Sequence, residues 1–182
     1  MGWSGNDIRQ FGSMKEWVNK NFNWEHADGN KTKLLDYAVV NRTTLYAALE
    51  FTSAAGETSV WACVTLFRFS KNEFMYKDMS EESGPGYCDC PERILKLLSP
   101  TTNLYALEWR KACYTKIAAN KAIIMKEGAE FTKGKSIITL IKKHCRNTWL
   151  CYMDGAGPYS VSKKWLTFHD YVTIGTAFDR AL

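Results

Sequence analysis

The sequence predicts an α+β protein: an antiparallel β-meander packed with helices, followed by a small SH3-like β-barrel or β-rich C-terminal part. Three observations carry that prediction. Runs that alternate every two residues follow one another between Leu34 and Asp78, separated by short turn signals, as in hairpin-connected strands. Helical patterns bracket that block, one opening at Ser13 and two lying between Cys90 and Asn120. After Asn120 short strand-like pieces alternate with turns at Gly128, Gly134, Asp154-Gly155 and Gly157-Pro158, the texture of a small barrel. The chain is thus expected to hold an α+β domain over 1–120 and a basic, β-rich subdomain over 121–182.

The elements follow in order. Ser13 is a natural cap for a helix in which Met14, Trp17, Val18 and Phe22 share a face, and Glu16 stands at the capping-box position. Asp28-Gly29-Asn30 is a turn. Strands are expected at 34–40, 45–51 and 60–69, joined by hairpin turns at 54–57 and 70–72. The third has two apolar faces: Val60, Ala62, Val64 and Leu66 alternate with Trp61, Cys63, Thr65 and Phe67, which places it centrally and covered on both sides. A fourth strand, 73–78, runs into a dense loop. A helix starts at or near Pro91 and lays Ile94, Leu95, Leu97 and Leu98 on the sheet. The next, about 103–120, buries Leu104, Leu107, Ile117 and the Trp109/Cys113 stripe. Strands at 122–125, 137–143, 148–152, 159–161 and 171–174 complete the chain.

At 182 residues with 46% hydrophobic and 14% aromatic content, the chain has ample material for a core and is not globally disordered. No apolar run reaches the roughly 18 residues of a membrane span. The start, Met1-Gly2-Trp3-Ser4-Gly5-Asn6, lacks a charged and then apolar leader and misses the myristoylation pattern, so the expected compartment is the cytosol. The six cysteines are then read as reduced, and Cys88-Asp89-Cys90 is one residue too tight for a C-x-x-C zinc site. Net charge is +5 and uneven: from Lys111 to Lys164 there are eleven basic residues against three acidic ones. Such a basic half suits a polyanion, the plainer alternative being lysines that keep a small protein in solution.

Two regions carry chemistry. From Glu73 to Arg93 six acids, two thiols, Tyr76 and Lys77 crowd around Gly84-Pro85-Gly86. Tyr76 and Asp78 are expected on one face of a strand end and Lys77 on the other, with Asp78, Glu81, Glu82 and Asp89 able to cluster. Crowded carboxylates raise one another's pKa and can serve as general acid or base or hold a divalent cation; no cofactor is required. Lys77 or Arg93 could then stabilise charge on a phosphate, a set suited to phosphodiester cleavage. The alternative is that Asp89 caps the helix at Pro91 and the glutamates are solvated. His26, His144 and His169 are scattered and none is assigned a role. Hydrolase, kinase, P-loop and dinucleotide fingerprints are absent. The second region pairs Lys142, Lys143 and Arg146 with Trp149, and Lys163 and Lys164 with Trp165. Cations for phosphates beside indoles for unpaired bases fit RNA, the alternative being that both tryptophans are barrel core.

Tyr76-Lys77-Asp78-Met79, Gly84-Pro85, Cys88-Asp89-Cys90-Pro91, Arg93-Ile94-Leu95 and Leu98-Ser99-Pro100-Thr101 together resemble the signature of a domain found in phages, plasmids and their bacterial hosts. Met1-Gly2-Trp3, Tyr46-Ala47-Ala48-Leu49-Glu50 and Glu108-Trp109-Arg110 fit it too, so the resemblance spans roughly 1–115. The whole chain, with its basic tail, is similar to phage-encoded anti-CRISPR proteins directed at type II systems of streptococci. The resemblance implies action in the host bacterial cytoplasm on a type II effector nuclease and its guide RNA, by cleavage or truncation of that RNA. A non-enzymatic module that blocks assembly of effector and guide RNA, or DNA binding, is the alternative, and a pocket for a small molecule or peptide is a third. The resemblance hands over no catalytic residue.

Overall fold

The computed structural model describes residues 3–4, 7–76, 80–83 and 86–176. The chain divides into two compact units, Met1–Ile117 and Ala118–Leu182. The fold is α+β, as the alternation and helix patterns predict.

In the first unit a six-stranded antiparallel sheet has the order β1-β6-β5-β4-β3-β2, formed by β1 (Trp3–Ser4), β2 (Trp24–Glu25), β3 (Lys31–Val40), β4 (Thr44–Thr52), β5 (Thr58–Arg68) and β6 (Glu73–Tyr76). Five strands form a meander, and β1 joins the far edge beside β6 through Trp3 and Tyr76. The central pair, β4 and β5, is in continuous register from Thr44↔Leu66 to Thr52↔Thr58. Because side chains alternate, this pair feeds two cores. On one face Leu45, Ala47, Leu49, Cys63 and Phe74 meet Trp17, Val18 and Phe22 of α1 (Met14–Phe22). On the other, Tyr46, Ala48, Ala62 and Val64 meet Ile94 and Leu95 of α2 (Glu92–Leu95) and Trp109 and Cys113 of α3 (Leu104–Ala122).

The local signals explain the helix ends. Ser13 Oγ accepts from the Glu16 amide at 3.2 Å, and the Glu16 carboxylate reaches back to the Gly12 amide at 2.9 Å, one residue before the usual capping-box partner. Asn103 Oδ1 accepts from the amides of Tyr105 and Ala106 and so caps α3. In the β2–β3 hairpin, Gly29 takes φ +84°, a conformation that costs a glycine little.

Three expectations here are corrected. Leu104 and Leu107 are exposed, because the buried face of α3 is set by Ala106, Trp109 and Cys113, and the two leucines fall on the opposite side. Helix α2 stops at Leu95 and leaves Leu97 exposed. Asp89 does not cap α2: the cap position is Pro91, with no side-chain bond to the helix amides.

The second unit is a five-stranded antiparallel sheet, order β10-β9-β8-β7-β11, from β7 (Ala129–Lys133), β8 (Ser136–Cys145), β9 (Thr148–Met153), β10 (Ala156–Val161) and β11 (Val172–Thr176). A four-strand meander whose fifth strand returns to the first, after a short helix α4 (Lys163–Phe168), is the connectivity of SH3-like barrels. Phe131, Ile138, Leu140, Cys151, Val161 and Leu166 form its core. The strand expected at 122–125 is absent; the alanine-rich end of α3 continues as helix through Ala122. Strand β7 and helix α4 were not expected from the sequence pattern. Helix α4 is capped by Ser162, whose hydroxyl accepts from the Trp165 amide at 3.1 Å.

Candidate nucleic-acid interface

The dense loop is, in its described part, a set of ion pairs between elements. Glu81 is 3% exposed and both its oxygens bind Arg110 of α3, at 2.5 Å from Nε and 2.9 Å from Nη2. One oxygen also accepts from the Ala62 amide at 3.4 Å, and Arg110 donates onward to the Ser99 carbonyl at 2.7 Å. The geometry has a local cause. Strand β6 pairs with β5 at Leu66–Arg68, and farther along that edge the β5 backbone is served by other groups. Cys63 bridges Ser80, Glu81 takes the Ala62 amide, and Ser99 exchanges bonds with Val60 at 2.8 and 2.9 Å. Glu81 thus seals a sheet edge that would otherwise hold unsatisfied backbone groups.

The other charges are spent similarly. Asp89 faces Lys116 of α3 at 2.9 Å, and its amide donates to the Tyr46 hydroxyl, which donates to the Tyr87 carbonyl at 2.8 Å. Burial pushes the Tyr46 phenol well above its ordinary pKa, so it stays a protonated donor. Arg93 pairs with Asp36 and donates to the Tyr37 carbonyl at 2.6 Å, pinning α2 to β3 where its register shifts between Leu34 and Asp36. Tyr76 ends β6 with its backbone paired to Trp3; its side chain, Lys77 and Asp78 lie outside the described residues. Glu81, Asp89 and Arg93 are therefore each engaged by a different partner, Arg110 and Lys116 of α3 and Asp36 of β3. Among the described residues no group of three or more His, Cys, Asp or Glu is placed to hold a metal ion.

All six cysteines are free thiols. Burial pushes Cys113 up to about 12 and Cys63 and Cys90 higher still, which makes them inert apolar residues rather than nucleophiles. Alkylation of the folded protein with a maleimide should therefore mark the exposed Cys145 first. Cys63, Cys90, Cys113 and Cys151 should label only after denaturation, as intact and peptide mass spectra would report.

The basic residues of the second unit do converge. Segments 142–149 and 162–165 meet at a cleft of about 610 Å³ bordered by Lys143, Arg146, Trp149 and Lys164. Strands β8 and β9 are joined by a tight turn at Arg146-Asn147, and their register sets Lys143 directly opposite Trp149, hence on one face. Lys142 is opposite Leu150 and is not among the residues lining the cleft. Lys163 lines it but donates to the Ile123 carbonyl at 2.7 Å, where a cation suits the end of α3. Trp165 does not line this cleft; it stacks on Tyr171 at 5.6 Å and lies tilted against His169 at 4.2 Å. Trp149 is half-buried, one side on the core and one lining the cleft.

The contrast between the two regions decides which can meet a ligand. Of the described charges of the loop, Glu81, Asp89, Glu92 and Arg93 are in ion pairs and Glu82 is exposed, whereas Lys143, Arg146 and Lys164 are exposed and make no ion pair among the described residues. Unit charges sharpen this: the second unit holds ten basic and five acidic residues, the first fourteen of each. The whole excess charge of the protein therefore resides in the second unit.

No known family, characterised protein or solved structure matches this chain significantly. The functional reading rests on the residues themselves. Of the sequence-derived candidates, Lys143, Arg146, Lys163 and Lys164 come together. Met125 and Asn147 also line the cleft and are not among the sequence-derived candidates; Asn147 is brought there by the turn that folds Trp149 back onto Lys143. No helix is long and apolar enough to cross a membrane among the described residues.

Proposed function

We propose that this protein binds single-stranded RNA in the cleft between the β8–β9 hairpin and the start of α4, as a binding module rather than through catalysis. One observation carries the reading: Lys143, Arg146 and Lys164, from segments far apart in sequence, stand unpaired around the half-buried face of Trp149. Clustered cations that no acid neutralises repel one another and are relieved by a polyanion. An indole between them offers a stacking face for a base that a paired duplex would keep inside its own stack. The engagement of Glu81, Asp89 and Arg93 in inter-element ion pairs favours binding over cleavage. With the resemblance to type II anti-CRISPR proteins, the RNA in question is the guide RNA of such an effector, held in the host cytoplasm so that effector and guide do not assemble.

Incubating a type II guide RNA with the protein, with and without effector and chelator, tests this on paired native and denaturing gels. Binding without chemistry retards the RNA on the native gel and leaves it at full length on the denaturing gel in every arm. Shortened RNA would overturn the non-catalytic reading and return attention to Tyr76, Lys77 and Asp78.

A further inference from the structure

A second cavity lies in the first unit and owes nothing to the basic cleft. Helix α1 has nine residues, about 13 Å of helix, while the strands it covers are nine and eleven residues long, about 30 Å or more. The helix therefore runs out before the sheet does. Past Phe22 the chain turns through Asn23 into the two-residue strand β2, which pairs with β3 through Trp24↔Thr32 and Glu25↔Lys31. What remains under the end of α1 is a cavity of about 560 Å³. Its floor is the cross-strand pair Leu49↔Trp61 with Cys63, and its sides are Phe22 and Trp24. That volume and lining match pockets for small molecules, which are mostly apolar with a few placed polar groups.

The polar groups fix the kind of molecule. Lys20 and His26 stand among the lining residues, and none of these residues is an aspartate or glutamate. Lys20 is exposed and makes no ion pair among the described residues. The acids nearest in sequence are engaged: Glu16 with the Gly12 amide, Glu25 with Lys31 at 2.8 Å, Asp28 with the Asn30 side-chain amide at 2.8 Å and Glu50 with Lys33 at 3.9 Å. His26 meets the Thr32 hydroxyl at 3.3 Å, and its ring sits edge-on to Trp24 with centroids 6.0 Å apart. Two indoles and a phenyl ring favour a planar π system, and a lone cation at the mouth favours a negative group on it.

We infer that this pocket binds a small planar aromatic anion, the ring lying between Trp24 and Trp61 and the anionic group directed at Lys20. This is a binding site separate from the RNA cleft, in the other unit, and it stands whether or not RNA is bound there.

Fluorescence titration of the full chain with 1-anilinonaphthalene-8-sulfonate, beside the uncharged N-phenyl-1-naphthylamine, tests it. The sulfonate should bind saturably at one site per chain. Lys20→Glu should weaken it about tenfold, the scale of one charge-assisted hydrogen bond, and leave the uncharged probe unchanged. Trp24→Ala should weaken both probes. Lys20 and Trp24 are exposed enough that circular dichroism and melting should stay as in the parent. Absence of saturable binding, or titrations of both variants that overlay the parent, would overturn the site. Equal loss of both probes in Lys20→Glu would overturn the anion specificity.

Discussion

Replacing Glu81 with alanine is expected to destabilise the protein by about 3–5 kcal/mol, the cost of breaking a buried ion pair from one side. The residue is 3% exposed and holds Arg110 with both oxygens, so its removal leaves a half-buried guanidinium without its anion and the Ala62 amide without an acceptor. Glu81→Gln should cost less, since the amide keeps an oxygen for one bond. The double variant Glu81→Met with Arg110→Leu should recover most of the stability, because no charge is then stranded. Urea unfolding followed by circular dichroism reads all three. A Glu81→Ala protein that unfolds at the parent midpoint would show that the carboxylate is held loosely and is free for other work.

The second large effect is on binding. Neutralising Lys143, Arg146 and Lys164 together, each to glutamine, should lower RNA affinity by about a hundredfold at low salt, since every cation taken away from a phosphate takes its counterion release with it. The same three changes should leave the melting temperature level or slightly raised, because exposed like charges repel one another and pair with nothing among the described residues. Lys163→Gln should behave differently: its amine supports the Ile123 carbonyl, so its removal should register partly in stability.

Much of the fold was legible because its signals are local. Alternation in β4 and β5 reports both faces of a central pair, and Ser13 with Glu16 marks where α1 begins. The site was less legible, for a physical reason. Whether a carboxylate is a catalyst or a strut depends on what faces it, and the partners of Glu81, Asp89 and Arg93 lie at Arg110, Lys116 and Asp36, on other elements. Chemical density in the loop reads identically in either case. Helix α4 leaves a weak signal because its Lys163-Lys164-Trp165 start resembles a surface patch, and only Ser162 signals a cap. Leu104 and Leu107 misled because helical spacing identifies two leucines on one side without saying which side meets the sheet. The apolar pocket left no local trace at all, since it arises from the mismatch between a short helix and longer strands.

The central claim, that the cleft of the second unit holds single-stranded RNA through unpaired cations, is tested most directly by fluorescence anisotropy. The parent and the triple glutamine variant would each be titrated with a labelled single-stranded guide-derived RNA over a series of salt concentrations. Log affinity should fall linearly with log salt, and the slope of the variant should be shallower by about 2, from roughly 0.7 per phosphate contact on a single strand. Parallel salt dependences with equal affinities for the two proteins would contradict it.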